Sequence, residues 1–143
     1  MKLIRNIIAV MTIGTTVFLA SCAKDEQDPT GTGDARDKFT GSWTCSEHSA
    51  LQGNSTYSMT IVKDPGSGSQ VIASNFYNLG SSTSTYISIS GNSMTIPHQN
   101  IITTTGDTTV VSGSGSYSND NLSFNFSAND GQNVDQVTVT AHH

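Results

Sequence analysis

From Asp37 onward the apolar residues arrive in short bursts, alternating with hydroxyl or amide side chains, and the bursts are separated by clusters of Gly, Ser, Asn and Asp. A period of two sends successive side chains to opposite faces of an extended strand, whereas a helix needs a period near 3.6. Tyr57-Ser58-Met59-Thr60-Ile61 is the clearest case: one face takes Tyr57, Met59 and Ile61, the other two hydroxyls. Leu122, Phe124 and Phe126 alternate in the same way with Ser123, Asn125 and Ser127, and Val137 and Val139 close a last strand. No stretch sustains a helical period, so the chain reads as all-β.

The punctuation sets the topology. Gln52-Gly53-Asn54-Ser55, Asp64-Pro65-Gly66-Ser67-Gly68, Gly91-Asn92, Gly106-Asp107, Asn119-Asp120-Asn121 and Asp130-Gly131 read as turns, because proline presets φ and Gly or Asn tolerates positive φ. The strands fall at 40–47, 57–61, 70–76, 86–90, 93–97, 99–104, 108–117 and two more beyond, with Pro97 ending one of them. Gly113 and Gly115 suggest a bulge or sharp bend. Parallel pairing needs crossovers of about a dozen residues or more, so these short connections make an antiparallel meander. That makes eight or nine strands, and a meander of eight leaves two unpaired edges unless it closes into an up-and-down barrel. A flattened β-sandwich is the alternative. Inward candidates are Trp43, Tyr57, Met59, Ile61, Ile72, Phe76, Ile87, Ile89, Ile96, Leu122, Phe124 and Phe126.

Ahead of this domain stands a leader. Lys2 and Arg5 precede an apolar run over residues 7–20, the anatomy of a secretory signal peptide and too short for a stable spanning helix of roughly 20 apolar residues. The run ends in Leu19-Ala20-Ser21-Cys22, which resembles the lipobox of bacterial lipoproteins. That resemblance implies cleavage of residues 1–21 and acylation of Cys22, which becomes the first residue of the mature chain. Several acyl chains hold a protein firmly on a bilayer where one holds it marginally. Lys24, Asp25 and Glu26 then resemble the lysine-plus-acidic signal that sends Bacteroidota-type lipoproteins to the exterior of the outer membrane. Residues 22–36 read as a lipidated cysteine and a flexible polar tether, with nothing apolar to bury, and 37–143 as the barrel domain.

Cleavage would remove Lys2 and Arg5 but none of the eleven acids, leaving a formal charge of −7. Such a surface disfavours nucleic acid, which calls for Lys and Arg against its phosphates. Cys45 is the one cysteine besides Cys22, so no internal disulfide is expected, and its place two residues after Trp43 reads as a buried, unreactive thiol.

Asp37-Lys38-Phe39-Thr40-Gly41-Ser42-Trp43 resembles the opening signature of lipocalins and the wider calycin group. The resemblance implies an eight-stranded barrel plugged at one end by Phe39, Gly41 and Trp43. Two features depart from it: Thr44 follows the Trp in place of an aromatic, and no arginine occurs after Arg36 to pack across the indole.

Nothing in the sequence assembles a catalytic or cofactor site. His48, His98, His142 and His143 lack metal-ligand spacing, and neither Gly66-Ser67-Gly68 nor Gly113-Ser114-Gly115 is a nucleophile elbow. Glu47, Asp64, Asp107, Asp120, Asp130 and Asp135 read as solvated loop acids. Thr108, in Asp107-Thr108-Thr109, resembles an O-glycosylation acceptor of Bacteroidota-type secreted proteins. The expectation is a non-enzymatic, membrane-anchored surface module without metal or cofactor, binding a small apolar ligand, a glycan or an envelope protein. The alternative is a structural or accessory envelope protein with a filled barrel.

Overall fold

The computed structural model describes residues 33–143. Cys22, Lys24, Asp25 and Glu26 lie outside the described residues. Eight strands follow in order: β1 (Gly41–Ser49), β2 (Gly53–Lys63), β3 (Gln70–Ser74), β4 (Thr85–Ser90), β5 (Ser93–Ile102), β6 (Thr108–Ser118), β7 (Asn121–Asn129) and β8 (Val134–His142). Each pairs antiparallel with the next, and β8 returns to β1, with Thr44 opposite His142 and Ser49 opposite Val137, so the sheet closes into a barrel. That last ladder rules out the sandwich and leaves no edge strand to protect.

Alternation sorts the side chains. Trp43, Cys45, Met59, Ile61, Ile87, Met94, Ile96, Val111, Leu122, Phe124 and Val139 are among those packed into one continuous core. The outward positions of β7, β8 and β1 hold Ser, Thr, Asn, Gln and His, with Val134 the one aliphatic. On these three strands apolar inside and polar outside is the reverse of a lipid-embedded barrel, whose lumen is polar and whose lipid face is apolar, while the outer side elsewhere also carries Val62, Tyr86 and Ile102.

Several strand-level expectations are corrected. On β3 it is Val71 and Ala73 that face inward, while Ile72 lies on the outer side between Val62 and Tyr86. Because the side-chain period is two, a shift of one residue reverses the face, and the adjacent apolar pair Val71-Ile72 does not reveal which it is. Gly53, Asn54 and Ser55 belong to β2 rather than to a turn, so the turn shrinks to residues 50–52. Phe76 sits in a 3-10 turn, Phe76–Asn78, rather than at the end of β3. Pro97 does not end a strand: β5 runs through it, and the register slips between Ile96 and Gln99. A bulge accommodates a residue with no N–H to give to a ladder.

Gly113 and Gly115 are the converse case. The β6–β7 register is unbroken there, Gly113 opposite Phe126 and Gly115 opposite Phe124. A Cβ on Gly113 would overlap the Asn125 carbonyl and stand 2.7 Å from the Phe126 Cα, and one on Gly115 would stand 2.8 Å from the Phe124 Cα. These glycines therefore permit close approach of two backbones on the face where β7 presents its two phenylalanines.

The folded unit also begins before Asp37, inside the stretch assigned to the tether. The Arg36 Nη1 donates to the carbonyls of Asp64 (3.2 Å), Ser67 and Gln70 (3.3 Å), and its guanidinium pairs with Asp34 at 2.7 Å. Lys63 bridges Asp34, at 3.0 Å, to Asp37. The incoming chain is thus fastened to the β2–β3 loop.

Two substitutions test this packing. The Thr85 hydroxyl is fully buried without a hydrogen-bond partner, so Thr85→Val should be neutral or stabilising by about 1 kcal/mol in urea unfolding, since an orphaned buried hydroxyl costs on the order of 1–3 kcal/mol. Gly113→Ala should destabilise by about 2 kcal/mol or more, the upper range for overpacking, because the obstacle is backbone and cannot move aside.

Candidate binding site at the barrel mouth

The two ends of the barrel are chemically different. At the end where the chain enters, Phe39 and Trp43 are fully buried, and the Trp43 Nε1–H donates to the Phe39 carbonyl at 2.9 Å. Gly41 adopts φ of +131°, in the half of conformational space that suits glycine, as the 3-10 turn Asp37–Phe39 gives way to β1. Tyr117 meets Trp43 edge-on, and the His143 ring lies over the indole with centroids 3.8 Å apart. His143 Nδ1–H donates to the Ser42 carbonyl at 3.1 Å. Imidazole thus covers the indole face, the position for which the sequence offers no late arginine. Phe39, Gly41 and Trp43 together form a closed floor.

The opposite end is ringed by residues 50–52, 75–84, 103–107 and 130–133. Phe76 drops from the second of these loops into the barrel and packs on Phe126 and Phe124, with ring centroids at 4.6 and 5.8 Å. Beside it lies a pocket of about 130 Å³ lined by Leu51, Gln52, Tyr77, Leu79, Thr109, Ala128, Asp130, Asn133 and Asp135. Tyr77 stands edge-on to Phe126, with its centroid 5.5 Å away. Its φ of +54°, flanked by Asn75 and Asn78 at +58° and +53°, is a left-handed conformation that a bulky aromatic rarely takes.

Asp135, from the inner face of β8, anchors this end. It is 3% exposed. Its Oδ2 accepts from Ser49 Oγ and from Tyr77 OH at 2.6 Å, and its Oδ1 from the Leu51 N–H at 3.2 Å. Burial pushes its carboxyl up, but these hydrogen bonds outweigh burial and hold it below the usual carboxylate range. Gln52 Nε2 donates to the Tyr77 hydroxyl at 3.1 Å, completing a chain from β8 to the β1–β2 turn.

Deeper in the wall, Glu47 accepts from Tyr57 OH at 2.9 Å and from Ser55 Oγ at 3.3 Å. Burial raises its carboxyl above the ordinary value, and the same hydrogen bonds only partly offset that. Cys45, one inward position away, is pushed up to about 12 by burial and by the nearby Glu47 charge, so it is an inert thiol at neutral pH.

Glu47 and Asp135 therefore overturn the reading of all the late acids as solvated: both stand at inward positions of their strands, in register with Trp43 and Cys45 and with Val137 and Val139. Strand parity alone would have found them. Tyr77 and His143 carry no comparable signal, because a loop and a terminal residue have no register. Asp64, Asp107, Asp120 and Asp130 do lie in turns. Thr108 is exposed at the start of β6, beside the Asp107 turn. Among the described residues no group of three or more His, Cys, Asp or Glu is placed to hold a metal.

The class defined by these observations is an eight-stranded up-and-down β-barrel with a plugged floor and a loop-ringed mouth. No protein-family model matches the chain, and no curated protein does. Among solved structures it is similar to a redesigned β-barrel, with a TM-score of 0.53 and 18% identity over 78% of this chain and 96% of that one. That likeness shows the barrel fold alone.

The buried carboxyl gives a pH-dependent expectation. Because Glu47 is raised in the folded state, its ionisation costs stability at neutral pH, and that cost is relieved as pH falls through its folded value toward the ordinary 4.5. Glu47→Gln keeps an acceptor for Tyr57. It should be more stable than the parent at pH 7.5 and lose that advantage by pH 4.5, measured as urea midpoints. A variant less stable at pH 7.5 would mean that the Tyr57 hydrogen bond to the charged form outweighs burial.

Proposed function

We propose that the protein is a lipid-anchored, surface-exposed module of the outer membrane that binds its target non-catalytically at the barrel mouth. The observation that carries this reading is the polarity of the barrel: the chain enters at the plugged floor and is fastened there by Arg36, while the concave pocket opens at the far end. An anchor at Cys22 would join the domain at its floor end, which leaves the mouth free of the attachment. The polar outer wall supports display in water rather than insertion in lipid.

The interior favours small or partial ligands. An eight-stranded barrel is just wide enough to be filled by its own side chains or to hold one small ligand. Here Trp43, Phe39, Phe76, Phe124, Met59 and several isoleucines fill it. The alternative of a filled accessory barrel shares this interior, and the mouth pocket is what favours a binding role. Glycosylation at exposed Thr108, on the mouth rim, belongs to the same reading.

Anchoring is tested by Cys22→Ser. The parent protein should fractionate with outer membranes, incorporate labelled palmitate and be shaved from intact cells by protease, and the variant should lose both label and membrane association. Recovery of unlabelled parent protein in the soluble periplasmic fraction would overturn the anchor.

A further inference from the structure

Among the described residues the Lys and Arg side chains lie at one end of the barrel, while acids stand at both, Asp34, Asp37, Asp64 and Asp120 at the floor. The Lys and Arg side chains among the described residues, Arg36, Lys38 and Lys63, all lie at the floor, where they engage Asp34, Asp37, Asn92 and the β2–β3 loop carbonyls. The mouth carries Asp107, Asp130 and Asp135, with Glu47 beneath, and no Lys or Arg. Asp107 Oδ2 is taken by the Thr105 hydroxyl, and Asp130 Oδ1 by the N–H groups of Gln132 and Asn133, at 2.8 and 2.7 Å.

Asp135 is different. All three of its donors are neutral, so its negative charge is buried without a counter-charge among the described residues. The neighbouring Ala50 N–H, whose own bond goes to the Gln136 carbonyl at 3.1 Å, also stands close enough to favour the charged form. Asp135 lines the pocket together with Asp130, and Leu51, Leu79 and Ala128 supply an apolar wall. Tyr77, held in its left-handed conformation, brings an aromatic ring to the same space.

We infer that the mouth pocket takes the head of an organic cation, a primary ammonium or guanidinium carried on a short aliphatic stem. A volume of about 130 Å³ is on the order of the cavity that holds a benzene molecule, so it suits a stem of a few carbons rather than a whole sugar or lipid. The stem packs on Leu51 and Leu79, and the positive head pairs with Asp135 and Asp130 in a partly desolvated site, where such pairing is stronger than in water. The source is a free amine or the lysine or arginine side chain of a partner protein. This inference rests on the reading of the mouth as the binding end.

The test uses the full-length mature protein in neutral detergent micelles, followed by amide NMR shifts of Leu51, Tyr77 and Asp135. The probes are butylamine, 1-butanol, butyrate and the capped peptide Gly-Lys-Gly. Butylammonium should shift these signals saturably and at least tenfold more tightly than 1-butanol, and butyrate should not bind. Asp135→Asn, with circular dichroism unchanged, should weaken butylammonium at least tenfold. Leu79→Trp, which fills the pocket without altering charge, should abolish uptake even if Asp135→Asn fails to fold. Tighter binding of the peptide assigns the cation to a partner's side chain, and tighter binding of butylammonium to a free amine; both support the inference. Equal binding of 1-butanol overturns the cation class while leaving the mouth a binding end, and binding unmoved by Leu79→Trp overturns the mouth pocket as the site. No shift with any probe overturns the inference, whereas surface anchoring stands or falls on Cys22→Ser.

Discussion

The β1–β8 ladder is the interaction on which the other features depend. It turns an open meander into a ring, and it brings the first and last strands of the domain together over six residue pairs. β1 carries Trp43, Cys45, Glu47 and Ser49 on its inner face, and β8 carries Asp135, Val137, Val139 and Ala141. The seam therefore holds the floor plug at one end and the polar anchor of the mouth at the other. Ser49 reaching Asp135 is a consequence of closure between residues 86 apart in the chain. Without the seam, Asp135 would be an ordinary acid beside a turn.

How the ring is filled follows from matched sizes on facing positions. β6 gives up side chains at Gly113 and Gly115 where β7 presents Phe126 and Phe124, and Phe76 enters from a loop to complete the aromatic stack. Protein interiors tolerate few voids larger than a water molecule, and this one is closed by residues that each bury on the order of 150–250 Å². With the interior solid, the concave space is at the rim, where Tyr77 and Asp135 hold one another beside a shallow pocket. The strain at Tyr77 is sustained by that hydrogen bond and by the packing of its neighbour Phe76.

Charge follows the same division. Cations at the floor are engaged locally, Arg36 with three carbonyls and Asp34, Lys63 with two carboxylates, so they fasten the entry of the chain. The walls between floor and mouth are largely hydroxyl and amide, and among the described residues no Lys or Arg stands at the acidic mouth.

The sequence by itself determined the all-β class and the antiparallel order, because strand alternation and turn chemistry are local and survive in the residue pattern. Glu47 and Asp135 were legible in principle, since their parity with Trp43 and Val137 puts them inside, but carboxylates beside turn residues read more naturally as solvated. Ile72 was misplaced because two adjacent apolar residues on a five-residue strand leave parity undetermined. Pro97 was misread because a bulge depends on what the partner strand does. Only the tertiary structure decided closure over sandwich, the imidazole of His143 on the indole, and Tyr77 folded back onto Asp135. Those three depend on pairing or packing between residues far apart in the chain, and no local period records which distant side chain will supply a missing partner.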